Sequence, residues 1–172
     1  MATVAEIVRA LDGFVIARKR LAGTDGPVSW VPGHSRYERV ARFPIEVNGE
    51  LIEGARLEVV GLLTQGIQFR LSLCYSAAIA RLDYTDETHP NARREERDNI
   101  PHEVSGPHYH SWPLNRRLFR AGGTVTQLEL AEPFTTRGNF DSNLRWFCQD
   151  LNIDQPDGRH VIELPRREDL FR

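Results

Sequence analysis

The sequence predicts an α+β domain: an antiparallel sheet meander with a short helix near the amino terminus and an amphipathic helix packed on it near the carboxyl terminus. Two patterns carry this prediction. Apolar and polar residues alternate through much of residues 37–84, which is the period of strands with one buried face. Near each end of the chain, apolar residues recur at helical spacing instead. With 172 residues, 40% of them hydrophobic, residues 1–172 are expected to form a single domain.

The first predicted element is a helix that begins after Thr3. Thr3 and Glu6 have capping-box spacing, and apolar residues follow at helical intervals. Gly13 is expected to end this helix. Residues 14–21 fit either a strand or a continuation of the helix, and residues 23–33, rich in glycine and proline, are expected to form a loop.

Four strands are predicted next. The first alternates through residues 43–47 and contains Pro44, which indicates an edge position because proline has no N–H to donate. Asn48-Gly49 predicts a hairpin turn into the second strand. The other strands, with a turn near Gln65-Gly66 before the third, are expected at 55–59, 67–75 and 77–84. In the fourth, alternation sets Ile79, Arg81 and Asp83 on one face and Ala78, Ala80, Leu82 and Tyr84 on the other.

The second half of the chain begins with a charged stretch at 85–103, which has neither period and is expected to be a long loop. A Gly122-Gly123 turn and a strand at 124–130 are predicted further on. An amphipathic helix follows, with Thr136 or Asn139 as its cap; its stripe is Phe140, Leu144, Phe147, Cys148 and Leu151. A turn at 155–158 then leads to a last strand at 160–164.

The composition argues against several classes of protein. The net charge is only -2, so no global field draws the chain to nucleic acid or to an anionic membrane. Cys74 and Cys148 lie far apart in segments expected to be buried, so neither a disulfide framework nor a CxxC metal site is indicated. The sequence shows no apolar run of membrane-spanning length and no signal peptide. We therefore expect a cytoplasmic protein without a membrane partner.

The segment GPHYHSWP, residues 106–113, carries two histidines one residue apart. Its prolines favour an extended backbone, which places His108, His110 and Trp112 on one face and Tyr109 on the other. Two imidazoles on one surface can supply two metal ligands, or an acid and a base that titrate near neutral pH.

Candidate partners for these histidines precede them in the chain. Arg81 and Asp83 share a strand face, an arrangement that ordinary ion pairing explains equally well. Four of the six histidines, however, lie within residues 89–110, and the surrounding region is locally basic. This grouping favours a functional site.

The same residues resemble a known family. The order of ARLDY, THPN and GPHYH, within about residues 70–112, resembles small TumE-like toxins of bacterial toxin-antitoxin systems. The resemblance implies an action on RNA or another block of cell growth, with a cognate antitoxin as partner. The residues that match are Arg81, Asp83, His89, His108 and His110. This chain departs from the family in its long insert before His-x-His and in Ser111-Trp112 where a glycine is expected.

Three hypotheses follow for function. The first is an RNA-cleaving enzyme without a cofactor, a ribonuclease in which His108 and His110 act as acid and base. Arg81, Asp83 and His89 complete its candidate catalytic residues. Candidate substrate-binding residues are Tyr109 and Trp112, for which core packing is the alternative, with Arg116 and Arg117.

The second hypothesis is a metal-dependent hydrolase or metal-binding protein. Here Asp83, His89, His108 and His110 hold a divalent ion such as zinc or manganese. The third is a noncatalytic interaction or immunity-type protein whose histidines lie on a binding face. The oligomeric state is left open.

Overall fold

The computed structural model describes residues 3–23, 27–63, 66–119, 128–154 and 162–165. Its helices are α1 (Val4–Ile16), α2 (Trp112–Asn115) and α3 (Phe140–Asp150), with short 3-10 helices at Glu96–Asp98 and Arg116–Leu118. Its strands are β1 (Lys19–Leu21), β2 (Val31–Pro32), β3 (Glu38–Val47), β4 (Glu50–Leu62), β5 (Gln68–Tyr75), β6 (Ala77–Tyr84), β7 (Thr88–Pro90), β8 (Glu103–Ser105), β9 (His108–His110), β10 (Glu132–Pro133) and β11 (Ile153–Asp154).

Nine of the strands in the described part of the chain form one sheet. Its strand order is β10-β9-β6-β5-β4-β3-β1-β11, with β2 added beside β3, while β7 and β8 form a separate ribbon. All pairings are antiparallel except that of β1 with β11. Residues of α1 and α3 pack with alternate residues of the central strands in one hydrophobic core. The predicted α+β class is confirmed: one helix near the amino terminus and one near the carboxyl terminus pack on an antiparallel sheet.

Helix α1 begins as its sequence predicts and ends later. The Thr3 and Glu6 capping box is present. The helix nevertheless continues through Gly13 to Ile16, so the prediction that Gly13 ends it is wrong. Its next residue, Phe14, is buried in the core, and this packing outweighs the low helix propensity of glycine. Residues 14–21 thus contain both expected alternatives, the end of a helix and then β1.

The Asn48-Gly49 hairpin is confirmed, since both residues have positive φ, 54° and 82°. The edge position inferred from Pro44 is wrong, because β3 lies between β4 and β1. The pairing of β3 with β4 shifts register between Pro44 and Glu46. A proline in an interior strand is tolerated at such an irregularity, where the ladder is already interrupted.

Strands β5 and β6 follow the predicted alternation through their central residues but not at Ile67 or at a bulge in β6. Phe69, Leu71 and Leu73 are fully buried, whereas Ile67 lies before β5 and is 65% exposed. In β6 the face predicted for Ile79 is wrong, because its side chain is in the core. The register shifts where Leu73 pairs with Ala80 and Cys74 with Ala78, which leaves Ile79 as the extra residue of a bulge.

The charged stretch at 85–103 is more ordered than its sequence indicates. It contains β7, the 3-10 helix at Glu96–Asp98 and the first residue of β8, so the expectation of one long loop is wrong in part. The strands of this ribbon have only three residues each. That length is too short for an alternating pattern to be recognised in the sequence.

The carboxyl-terminal helix is confirmed, with Asn139 as its cap and all five stripe residues buried. The last predicted strand, at 160–164, is not confirmed, because residues 162–164 are not in a strand. Residues 160–161 lie outside the described residues. Residues 128–130 of the strand predicted at 124–130 are likewise not in a strand. Gln65, the Gly122-Gly123 turn, residues 124–127 and the turn at 155–158 lie outside the described residues.

Two further expectations concern the cysteines and the membrane. Cys74 and Cys148 are both buried, as predicted. Within the described ranges, no helix has the length and apolar character needed to span a bilayer.

Candidate functional site

Strand register brings four of the predicted site residues to one face of the sheet. Strand β9 pairs with β6, so that His110 lies opposite Arg81 and His108 lies opposite Asp83. Directly paired residues project from the same face. The predicted shared face of His108 and His110 is confirmed, and the two ring centroids are 5.2 Å apart.

His89 reaches the same face from β7. Its ring centroid lies 4.6 Å from that of His110 and 5.4 Å from that of His108. The β7 and β8 ribbon sets this position, since β8 ends one residue before Gly106 and β9 begins at His108. The structure therefore brings together all five residues of the motif, which we call the histidine cluster: Arg81, Asp83, His89, His108 and His110.

Asp83 is the buried centre of the histidine cluster. Its Oδ2 accepts a hydrogen bond from Arg81 Nε at 2.7 Å and lies 3.4 Å and 3.3 Å from Nε2 of His108 and His110. Its Oδ1 accepts from Nε of Arg70. Burial raises the pKa of Asp83, but these hydrogen bonds and charges together outweigh it and hold the pKa far below the usual range of a carboxyl group. Asp83 is therefore ionised throughout the physiological pH range.

Each histidine of the cluster donates one ring N–H to a backbone carbonyl, because a carbonyl can only accept. His89 Nε2 lies 3.1 Å from the Glu129 oxygen. Nδ1 of His108 and of His110 lie 2.7 Å and 3.1 Å from the oxygens of Gly106 and Leu130. These bonds fix the tautomers. The other nitrogen of each ring, His89 Nδ1 and Nε2 of the other two, carries the lone pair when the ring is neutral.

The three imidazoles differ in charge because their surroundings differ. Burial lowers the pKa of His110 to about 4, and Arg81 Nη2 lies 3.0 Å from its Nε2, so His110 is neutral near pH 7. Burial also lowers the pKa of His89, although its bond to the Glu129 carbonyl opposes this. For His108 burial lowers the pKa, but the hydrogen bonds to Asp83 and Gly106 raise it more, and the net shift is upward.

A cavity of about 340 Å³ opens in front of the histidine cluster. Of the cluster it exposes only Arg81 and His89, while Asp83, His108 and His110 are buried behind them. Arg93 forms an ion pair of 2.7 Å with Glu129 at the rim. The residues lining this cavity, which we call the arginine pocket, are Arg81, His89, Pro90, Ala92, Arg93, Leu128 and Glu129.

The predicted aromatic substrate-binding residues lie elsewhere. Tyr109 is buried in the core, where its hydroxyl donates to Asp150 at 2.7 Å. Trp112 is also in the core and donates to Asp12 at 2.8 Å. The prediction that Trp112 shares the face of the histidines is wrong, because β9 ends at His110 and Trp112 begins α2. These placements fit the packing roles considered for both rings.

The predicted basic helpers, Arg116 and Arg117, are not in the histidine cluster either. Arg116 pairs with Asp12 at 2.6 Å. Arg117 pairs with Glu95 at 2.7 Å, contacts Asp98, and donates to the Arg93 carbonyl at 3.2 Å. Arg117 therefore ties the 3-10 helix after α2 to the loop that carries Arg93.

Sequence reasoning missed the residues that support the site. The side chains of Asn91 and Asn115 are buried and make paired amide bonds to the backbone of Ala131 and Leu130, respectively. They hold the segment whose carbonyls accept from His89 and His110. Asn91 directly follows His-Pro, but nothing in one sequence marks an asparagine as a backbone clamp. Arg70 could have been identified from the predicted strands, because the register of β5 and β6 sets it opposite Asp83.

Comparison with protein-family models, with curated proteins and with solved structures finds no match for this chain. The resemblance to TumE-like toxins therefore stays a prediction.

Proposed function

We propose that the protein is a toxin-antitoxin-like ribonuclease that cleaves RNA at the arginine pocket without needing a metal ion. The observation that carries the proposal is the convergence of Arg81, His89 and Arg93 on one open cavity. Planar guanidinium groups match the oxygens of a phosphate diester in charge and in geometry. The five residues that resemble the toxin motif meet behind and beside this cavity, which supports the same proposal.

The proposed nucleophile is the ribose 2'-hydroxyl, and His89 accepts its proton. His89 suits this task because it lines the pocket and its lowered pKa keeps the ring neutral near pH 7. Its Nε2 donates to the Glu129 carbonyl, so Nδ1 is the basic nitrogen. The 2'-oxygen then attacks phosphorus, the 5'-oxygen leaves, and solvent supplies the proton of the leaving oxygen.

Proton transfer is assigned to His89 rather than to His108 and His110. His110 is fully buried and His108 is 3% exposed, so neither meets a substrate in the pocket. Both rings instead contact Asp83, and His110 also contacts Arg81. We assign them, with Asp83, to positioning the Arg81 guanidinium.

Arg81 and Arg93 are assigned the role of stabilising the negative charge of the transition state. Removing a single preorganised donor at such a site slows reactions by about 10² to 10³-fold. Arg81 is preorganised because Asp83 and His110 hold it from behind. Arg93 must release Glu129 to reach a phosphate, and the partial exposure of both side chains allows this exchange.

The test uses a single-stranded RNA oligonucleotide of mixed sequence, purified protein and excess EDTA. Wild-type protein is expected to leave 2',3'-cyclic phosphate ends and to spare the 2'-O-methylated oligonucleotide. His89→Gln should slow cleavage at least about 100-fold. His34→Gln is the matched control, because His34 is exposed in a loop and should be replaceable without loss.

Two results would overturn the proposal: no RNA cleavage by the wild-type protein, or equal rates for wild type and His89→Gln. Induced expression in bacteria gives an independent readout, since a ribonuclease toxin should arrest growth in a His89-dependent manner. Harmless expression, with a binding partner retained by His89→Gln, would favour a noncatalytic interaction protein.

A further inference from the structure

We infer that His89, His108 and His110 form a binding site for one divalent transition-metal ion, with Zn²⁺ the best fitting. One ring nitrogen from each histidine lies within 4.8 Å of one from each of the others. Three imidazole nitrogens are a common ligand set for zinc. The site lies behind the arginine pocket and shares His89 with it.

The hydrogen bonds around the three rings are those that metal-binding histidines need. A metal-ligating histidine almost always donates its other ring N–H to a carboxylate, a carbonyl or water, which fixes the ring and its tautomer. All three rings make such a bond to a backbone carbonyl, of Glu129, Gly106 and Leu130. The other nitrogen of each ring is thereby left to bind an ion.

The carbonyls themselves are held in place. Asn91 donates to the Ala131 oxygen at 2.8 Å and accepts from the Ala131 N–H at 2.7 Å. Asn115 makes the same pair of bonds to Leu130, at 2.8 Å and 2.9 Å. Both asparagines are buried. The segment at 129–131 is thereby fixed beside the rings, so the geometry of the site is built into the fold.

Asp83 provides an oxygen beside two of the three rings. Its Oδ2 lies within 3.4 Å of Nε2 of His108 and of His110. Three imidazoles with one carboxylate form a nitrogen and oxygen set that suits zinc, and less strongly iron or manganese. Without an ion, Arg81 Nη2 donates to Nε2 of His110 at 3.0 Å. An ion that binds this nitrogen must therefore displace the arginine.

Displacement of Arg81 by an ion should impair the proposed ribonuclease. A bound ion would take the His89 nitrogen that accepts the proton and would push the Arg81 guanidinium out of its bond with His110. Zn²⁺ is therefore expected to inhibit metal-free cleavage at concentrations that fill the site. This consequence rests on the proposed function, whereas the binding site itself does not.

The test is a calorimetric titration with Zn²⁺ of full-length protein that carries no polyhistidine tag and has been stripped with EDTA. We expect one ion per chain, and a loss of affinity of at least about 100-fold in His89→Gln. His89 is only half-buried, so this variant should fold; circular dichroism verifies it. His34→Gln and His102→Gln are controls, since both histidines are exposed outside the cluster. Co²⁺ should give the intense visible absorption of a tetrahedral site in wild type and lose it in His89→Gln.

The inference is overturned if wild type binds no stoichiometric Zn²⁺, or if His89→Gln binds it as well as wild type. RNA cleavage in EDTA by a protein that binds no Zn²⁺ would leave the proposed function standing and remove the metal site. Stoichiometric Zn²⁺ binding lost in His89→Gln, with cleavage that requires Zn²⁺, would support the metal site and overturn the metal-free function.

Discussion

Arg81 and Asp83 lie two residues apart on β6, and Nε of the arginine donates to Oδ2 of the aspartate at 2.7 Å. The carboxylate is buried, whereas the guanidinium reaches the arginine pocket. Arg70 binds the other oxygen of the same carboxylate. The two arginines outnumber the single aspartate, so the ion group keeps a net positive charge beside the pocket. This relationship explains how an acidic residue serves an anion-binding surface: it fixes the cation without facing the ligand.

Asp83→Asn is expected to destabilise the fold. Removing one partner of a buried ion group leaves the other charges uncompensated, which typically costs about 3 to 5 kcal/mol. Asp154→Asn is the matched control, because Asp154 pairs with Arg18 on the surface and should contribute less than about 1 kcal/mol. Urea unfolding of the two variants measures both values. Equal stability losses would contradict the central role of Asp83.

Arg81→Lys tests the geometry of the guanidinium as distinct from its charge. Lysine cannot bind Asp83 and His110 while also presenting a planar donor pair to the pocket. RNA cleavage is expected to fall about 10² to 10³-fold. Arg42→Lys, in an ion pair with Glu58 on the same sheet, should cleave at the wild-type rate. Full activity in Arg81→Lys would show that charge alone is sufficient.

Tyr109→Phe separates packing from base stacking. The Tyr109 hydroxyl donates to Asp150, and burial raises the pKa of this hydroxyl strongly, so Tyr109 is a neutral donor. Loss of the hydroxyl should lower the free energy of unfolding by about 1 to 3 kcal/mol. RNA cleavage should not change, since the ring lies in the core. A weakened affinity for RNA at unchanged stability would restore the stacking role.

Four of the five residues of the histidine cluster were predictable from strand alternation, because that pattern holds over residues that stay in one strand. Alternation set Arg81 and Asp83 on one face of β6, and His108 and His110 on one face of β9. Their convergence needed only that β9 pair with β6. The same rule failed for Trp112, since the strand ends two residues before it, and for Ile79, since a bulge lies beside it. Neither a strand end nor a bulge changes the hydrophobic pattern locally.

Other features depend on contacts far apart in sequence. The parallel pairing of β11 with β1 joins residues 153–154 to residues 19–20 and involves only two residues of each strand. The arginine pocket combines Arg81 with four residues between 89 and 93 and with residues 128–129. Arg93 is one of many arginines in the chain, and only the three-dimensional position distinguishes it from Arg94, which binds His102 instead. These positions depend on how distant segments of the chain pack together, and no local sequence pattern indicates them.

Lys19 provides a test of the fold that is independent of the proposed function. Its side chain is 1% exposed, and Nζ donates to the carbonyls of Val15, Ala17 and Leu151 at 2.7 to 2.8 Å. The ammonium group thereby joins the end of α1 to the end of α3. Burial lowers the pKa of Lys19 from 10.5 to about 8.

Because the folded pKa is below the unfolded one, the unfolded state binds the proton more tightly than the folded state. Charge burial therefore opposes folding fully below about pH 8, and this opposition fades as the pH rises towards 10.5. Relative to Lys19→Met, which cannot titrate, the unfolding free energy of wild type should rise by about 2.5 kcal/mol between pH 7 and pH 10. Urea unfolding of both proteins at each pH measures the difference, in which the other titrating groups cancel. A difference that stays constant with pH would mean that Lys19 keeps its ordinary pKa and that its three carbonyl partners fully compensate its burial.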